Sequence, residues 1–304
     1  MGAVQFMLDL CKLLYYWFVG YLSLFLPARQ KDVSNEVILI TGAGSGIGRL
    51  LAFKFAKLGA TIVLWDINKS ANDAVADEIN SKTPNKAYPY KCDCSKREEI
   101  YRVAENVRKD VGEVTMLINN AGIVTGKKFF DLPDDKIELT FQVNSVSHFW
   151  TTKAFLPAMM KNNHGHIVTI ASTAGLTGVN GLIDYCSSKH AAVGTHAALT
   201  TELYAQNLDG VHTTCICPYI IDTGMFEGAK SKFNWLLPML KVDYVATKIV
   251  KAVRSNQYIL VMPRLIYFLY YLQLFMPINA ALLASKMFGF DKLMDQFTGR
   301  QKKD

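Results

Sequence analysis

No block of like charges, no internal repeat and no low-complexity tract interrupts this chain of 304 residues. Lys and Arg outnumber Asp and Glu by 33 to 26, for a net charge of +7, yet without a basic block or recognition motif nucleic acid is a poor partner. Cysteine is scarce: Cys11, Cys92, Cys94, Cys186, Cys215 and Cys217 are all there is. Neither C-x-C pair has the C-x-x-C spacing of a zinc site, and an even count carries no disulfide signal in a chain of this size. A reduced, cytosol-facing protein without a metal is expected. His164 and His166 flank Gly165 with no further ligands close by, and read as loop and strand-start residues. No small-residue cleavage site follows the apolar N-terminus, so no removable signal peptide is expected. Phe6 stands where myristoylation needs Ser or Thr.

What the chain does have is a strand that runs straight into glycines. Val37-Ile38-Leu39-Ile40 is a short apolar, β-branched run suited to a buried strand. It feeds Thr41-Gly42-Ala43-Gly44-Ser45-Gly46-Ile47-Gly48, and a helical pattern follows from Arg49 to Ala56. Glycine lets the backbone turn sharply and approach a diphosphate with no Cβ in the way, and the helix N-terminus offers free N–H groups to the anion. Gly42, Ser45, Gly46, Ile47 and Gly48 are therefore candidate contacts of a dinucleotide. A second strand, Thr61 to Trp65, ends at Asp66, 18 residues past Gly48 and near the ~20 expected of a ribose-binding acid. A carboxylate there accepts hydrogen bonds from ribose hydroxyls and repels a 2′-phosphate, to which the neutral Ser45 offers no cation. NAD is expected over NADP.

Tyr185 and Lys189, four residues apart, share one face of an expected helix. A phenol titrates near 10, and lowering that by ~3 units takes roughly 4 kcal/mol. One cation at ~4 Å supplies about that much at an effective dielectric near 20. The pair then forms a general acid/base for alcohol and carbonyl chemistry. Alone, such a pair is common on exposed helices. Ser172, 13 residues upstream, and the glycine turn supply the chemical setting.

With Asp93, Asn119-Asn120-Ala121-Gly122 and Asn144 added, the chain resembles the short-chain dehydrogenase/reductase family from about Val37 to Met262. Leu64-Trp65-Asp66-Ile67-Asn68-Lys69 and His164-Gly165-His166-Ile167-Val168 resemble its membrane-associated branch, which holds the epidermal retinol dehydrogenases and the 17β-hydroxysteroid dehydrogenases of types 11 and 13. Gly122 to Lys128 and Thr223-Gly224-Met225-Phe226 are most similar to the retinol dehydrogenase side. The resemblance implies that Tyr185 exchanges the proton with the substrate oxygen while Ser172 holds that oxygen in line. It implies that Lys189 lowers the tyrosine pKa and bonds the nicotinamide ribose, and that Asn144 anchors a water linking Lys189 to solvent. Asp93 and Asn119 would line the adenosine side, Ala121 and Gly122 would join the cofactor contacts, and Thr223 would sit near the carboxamide. A homodimer through the Tyr185 helix and the one before it is also implied. One departure stands out: Pro218-Tyr219 replaces the family's usual Pro-Gly, so the loop is expected to be repositioned or Tyr219 to enter the substrate pocket.

Apolar strands alternate with helical stretches, which is βαβ repetition and predicts an α/β fold with a doubly wound parallel, Rossmann-type sheet covered on both faces. Residues 31–262 are expected as one catalytic domain, 1–30 as a hydrophobic anchor and 263–304 as a second membrane-associating segment and tail. Met225 to Leu240 is dense in Phe, Trp, Leu and Met; the resemblance implies that it forms the substrate lid, here suited to a greasy substrate, while the residues alone equally allow an ordinary packed helix or a membrane-facing patch. The uncharged run Leu13 to Ala28 would reach only ~24 Å as a helix, short of a ~30 Å bilayer core. Leu265 to Ser285 also lacks charge but carries Gln273, Pro277 and Asn279. Both ends read as monotopic anchors, with a single N-terminal spanning helix as the alternative and packing of the tail on the enzyme as a third. The function expected is NAD-dependent oxidation of a lipophilic alcohol, all-trans-retinol to retinaldehyde, at the endoplasmic reticulum and lipid droplets, facing the cytosol. A 17β-hydroxysteroid or other lipid alcohol, or a droplet scaffold with a vestigial NAD site, are the alternatives.

Overall fold

The computed structural model describes residues 2–22, 28–84 and 86–299. Seven strands form one sheet: β1 (Val37–Thr41), β2 (Thr61–Asp66), β3 (Ala87–Lys91), β4 (Met116–Asn119), β5 (Gly165–Ile170), β6 (Val211–Pro218) and β7 (Ile259–Met262). Their order is β3-β2-β1-β4-β5-β6-β7, and every neighbouring pair is parallel. The chain therefore winds outward from β1 in both directions, and its switch point lies between β1 and β4.

Period-two alternation explains why both faces are covered. Ile38, Ile40, Ile62, Leu64, Ile118 and Val168 point into one core, and Leu39, Val63, Trp65, Leu117 and Ile167 into another. The first is roofed by α2 (Gly46–Ala56), α3 (Lys69–Lys82) and α8 (Val242–Arg254), through residues such as Phe55, Ile79 and Ile249. The second lies under α4 (Arg97–Asp110) and α6 (Ser147–Lys161), through Ile100, Val107 and Phe155. α1 (Ala3–Leu22), α5 (Asp134–Phe141), α7 (Ile183–Ala205), α9 (Arg264–Leu274) and α10 (Ile278–Met287) complete the helices. Local signals set several helix ends. Asn68 caps α3 by accepting from Ala71 N, and α4 opens on Glu98 and Glu99 and closes on Arg108 and Lys109, matching its dipole.

Two histidines take different places. His166 is buried inside β5, where Nε2 lies 2.9 Å from Thr214 Oγ1, while His164 stays outside the strand and meets Glu36 at 3.1 Å. Among the described residues no group of His, Cys, Asp or Glu could hold a metal ion. All six cysteines are free; Cys11 alone is exposed.

The chain separates into two compact units, Met1–Lys31 and Asp32–Asp304. The first carries α1, whose side chains from Val4 to Val19 include a run of exposed apolar and aromatic residues. Part of the expected Leu13–Ala28 run, residues 23–27, lies outside the described residues. In the second unit the stretch after Met262 clusters with the sheet, and the uncharged run is divided between α9 and α10 at Pro277, which cannot donate a helical N–H. Among the described residues no helix is long and apolar enough to cross a membrane.

Candidate active site

The glycine turn, Asp66, the Asn-Asn-Ala-Gly stretch, Ser172 and Pro218-Tyr219 all lie at or just beyond the C-terminal ends of strands, so the parallel sheet delivers them to one edge. A cavity of about 530 Å³ opens there. Gly42 and Gly46 have φ of +66° and +55°, which only glycine adopts cheaply. A Cβ on Gly48 would strike the Gly42 carbonyl oxygen, so that glycine lets helix and turn close together; it does not itself line the cleft. Ser45 makes no side-chain cap on α2, leaving the first-turn N–H groups of that helix directed at the cleft.

Asp66 sits at the cavity rim, accepting from Gly44 N at 2.9 Å and Asn68 N at 2.8 Å. The nearest cation of α2, Arg49, is bound to Glu78 at 2.6 Å and stacks on Phe53. Asp93 lines the same end, its Oδ1 held by the Ser95 hydroxyl at 2.7 Å. Ala121 and Gly122 line the middle, and Thr223 faces Gly46, 3.6 Å from where a Cβ would stand.

Asn119 does not line the cavity. It shares the inward face of Leu117, is buried, and its Oδ1 accepts from Thr151 Oγ1 at 2.7 Å. Its neighbour Asn120 takes the cleft position instead, and Nδ2 donates to Thr41 O at 2.8 Å, tying the glycine turn to β4. Strand alternation, carried one residue further, was the signal available for this.

Ser172, Tyr185 and Lys189 converge on the inner wall. Ser172 accepts from Ala174 N at 3.1 Å and lies beside the Tyr185 phenol. Lys189 reaches under the tyrosine ring, 5.8 Å from its centroid, and donates to Ile170 O at 2.8 Å. Asn144 lies on a widened helical turn, Gln142–Val146, between α5 and α6. It is fully enclosed: Oδ1 accepts from Ile123 N, and Nδ2 donates to Ile123 O and Ser188 Oγ. Through Ser188, whose hydroxyl donates to Tyr185 O, it braces the helix that carries both tyrosine and lysine. A Cβ on Gly122 would stand 3.4 Å from Asn144 Oδ1 and 3.6 Å from Lys189 Nζ, so the small residue keeps the lysine accessible from the cleft.

The expected acidity of the phenol is not that of the resting protein. Burial pushes Tyr185 upward, with the Ser172 hydroxyl pulling the other way but not enough to reverse it. Burial also brings Lys189 down to about 8. At 5.8 Å from the ring centroid, the lysine does not offset what the tyrosine loses by leaving water. Behind them, burial holds His148 down to about 3 and His196 to about 4, so both are neutral.

The outer wall is apolar. Met225 and Phe226 enter it from the segment expected as a lid, and Phe226 stands edge-on to Tyr185, ring centroids 5.6 Å apart. That segment is a run of turns without a regular helix, closed by an isolated bridge between Leu240 and Ile221, three residues past β6. Tyr219 lines the pocket with ordinary backbone: its N–H bonds Met262 O at 2.8 Å, continuing the β6–β7 ladder, so no positive φ arises. Its hydroxyl is buried with Ser231 nearby, but forms no hydrogen bond of good geometry among the described residues. Leu293 and Met294, far outside the motifs, finish the wall.

A glycine cradle at a helix N-terminus, a carboxylate at the ribose distance and a hydroxyl–phenol–ammonium cluster define a dinucleotide-dependent oxidoreductase. A family model described as short chain dehydrogenase matches residues 36–233. The chain is 50% identical over 274 residues to epidermal retinol dehydrogenase 2 of Mus musculus, covering 90% of this chain and 89% of that one. It is 40% identical over 326 residues to retinol dehydrogenase 10 of Rattus norvegicus, covering 99% and 96%. Among solved structures, a short chain dehydrogenase/reductase from Burkholderia phymatum in complex with NAD superposes with a TM-score of 0.72 at 25% identity, covering 83% of this chain and 96% of that one. The chain belongs to the short-chain dehydrogenase family and is an NAD-dependent dehydrogenase. The residues of its cleft fit that cofactor: the cradle would hold the diphosphate and Asp66 the adenosine ribose.

Proposed function

We propose that this enzyme oxidises a lipophilic alcohol, retinol to retinaldehyde. The observation that carries the reading is the placement of Ser172 and Tyr185 at the base of a cleft whose outer wall is Tyr219, Met225, Phe226, Leu293 and Met294. Such a wall binds a hydrocarbon and leaves one polar end, the carbinol, to the serine and tyrosine. Two relatives that bear the name retinol dehydrogenase, 50% and 40% identical along most of the chain, support the same substrate class.

NAD bound in the cradle supplies the acceptor for the hydride that leaves the carbinol carbon. The Ser172 hydroxyl donates to the substrate oxygen and holds it toward Tyr185. In its deprotonated, phenolate form the Tyr185 oxygen takes the carbinol proton. Lys189, protonated, favours the charged phenolate for that step, and Asn144 keeps the helix of both residues in register with the Ile123 loop. Water is displaced by the apolar wall, which strengthens each of these interactions.

A lipid-soluble substrate fits a protein that works at a lipid surface. The exposed aromatic and aliphatic side chains of α1, and those of α9 and α10 such as Phe268, Leu274 and Leu282, support monotopic attachment to the cytosolic face of the endoplasmic reticulum and to lipid droplets. The net charge of +7 adds attraction to anionic headgroups.

The test is a panel of retinol, 17β-hydroxysteroids and long-chain alcohols, each with NAD and with NADP, scored by reduced cofactor formed in detergent or microsomes. Retinol with NAD is expected to give the highest kcat/KM. Absence of turnover with every alcohol, NAD binding having been demonstrated, sinks the reading; preference for the steroid transfers it to the 17β-hydroxysteroid class. Tyr185→Phe is expected to cut kcat by roughly 10³-fold or more while leaving NAD affinity nearly unchanged.

A further inference from the structure

The cleft is not closed by the part of the chain that matches the family model. Of the residues lining the cavity, Leu293 and Met294 alone lie outside 36–233, and both are buried. They belong to a segment, Gly289 to Gly299, that returns from α10 and lies along three loops of the catalytic unit. Lys230 N donates to Leu293 O at 3.1 Å and Thr298 N to Glu227 O at 2.9 Å, fixing it to the turns after Phe226. Asn180 Nδ2 donates to Asp291 O at 2.6 Å, and Met294 packs over Gly181, its Cβ 3.3 Å from where a glycine side chain would begin. Phe297 fills the space beside Gly126, whose φ is +68°, and rests on Phe226 with ring centroids 6.4 Å apart. Phe226 in turn meets the Tyr185 ring. An unbroken aromatic contact thus runs from the C-terminal segment to the phenol.

We propose that this segment is the specificity wall of the enzyme: Leu293 and Met294, backed by Phe297 and Phe226, contact the hydrocarbon of the substrate several carbons away from its hydroxyl and set how long and how broad a chain is accepted. The inference rests on the reading of the cleft as an alcohol dehydrogenase site and deepens it. The assigned class is an extended, slender apolar alcohol. With the carbinol end held by Ser172 and Tyr185, additional carbons lie along the apolar lining, of which the lid and the C-terminal segment supply Met225, Phe226, Leu293 and Met294. An alcohol too short to reach that wall gains nothing from it.

The experiment compares wild type with Leu293→Ala, Met294→Ala and the fuller Met294→Trp, using 1-butanol, 1-dodecanol and retinol as substrates and fluorescence titration of retinol into the NAD-loaded protein as a second readout. In the alanine variants the preference for dodecanol over butanol, as a ratio of kcat/KM, is expected to fall by ~10-fold or more, with the loss in KM. Retinol affinity falls by a similar factor. Met294→Trp is expected to exclude retinol more strongly than dodecanol, because it removes breadth. Unchanged ratios together with unchanged retinol affinity, in variants whose NAD-loaded thermal midpoint matches wild type, overturn the wall. Wild-type protein that oxidises none of the alcohols overturns the reading of the reaction instead, and the retinol titration then still decides the wall by itself. A variant that fails to fold is replaced by Met294→Leu or Leu293→Ile, where the shape change alone is expected to alter the dodecanol-to-butanol ratio.

Discussion

Tyr185 and Lys189 lie one helical turn apart, yet the shifts in their titration come from the water they have lost more than from each other. Lys189 carries the clearer consequence. Its pKa falls from 10.5 to about 8 on folding, so between those values the unfolded chain holds a proton that the folded chain has released. Stability attributable to this residue therefore rises with pH across that window and is at its lowest below about 8. Without NAD, Lys189→Met is expected to be more stable than wild type at neutral pH, and the gap to close by about 3 kcal/mol as pH approaches 10.5. Urea unfolding of both proteins at a series of pH values checks this; a gap independent of pH refutes it. The same lysine that costs stability is the one we place in the reaction, a trade-off usual at active sites.

The turn between β1 and α2 shows how one atom holds two segments together. A methyl on Gly48 would collide with the carbonyl of Gly42 and come within 2.7 Å of Asn120 Nδ2, the group that ties the turn to β4. Gly48→Ala is expected to cost about 1–3 kcal/mol of stability and to weaken NAD binding at least tenfold, which calorimetric unfolding with and without NAD would measure. This turn, the strands and the Ser-Tyr-Lys cluster were legible in the sequence because each depends on local backbone demands: glycine conformations, β-branched runs and an i, i+4 spacing. Other features were not. The resemblance implied a cofactor contact for Asn119, but its place in β4 turns it to Thr151 and leaves the cleft to Asn120, and Asn144 needed a widened turn that no composition announces. Of the two outcomes expected of Tyr219, the loop is not repositioned, because the β6–β7 ladder extends through it, while its side chain does line the pocket. The burial that raises the Tyr185 pKa and the approach of Leu293 and Met294 involve contacts between residues distant in sequence, such as Tyr185 with Phe226 and Leu293 with Lys230, which local pattern does not encode.

Among the described residues, every buried member of the three hydrophobic clusters lies in the unit that begins at Asp32. A protein beginning at Asp32 is expected to unfold cooperatively and to bind NAD as the full chain does. Its association with vesicles containing anionic lipid is expected to be weaker, and what remains, carried by α9 and α10, to decline further as salt screens the positive charge. Flotation on density gradients at low and high salt reads both effects. Equal flotation of the two proteins would assign attachment to the C-terminal helices alone.

Among the six free thiols, five are inside the catalytic unit and Cys11 stands exposed on α1. Nature has thus left one convenient chemical handle on the segment whose surroundings matter most. With NAD present to shield Cys92 and Cys94 in the cleft, a polarity-sensitive maleimide dye will mark Cys11 without any substitution. Its emission will turn blue when that helix enters hydrocarbon and stay red in buffer, so the native polypeptide reports its own immersion.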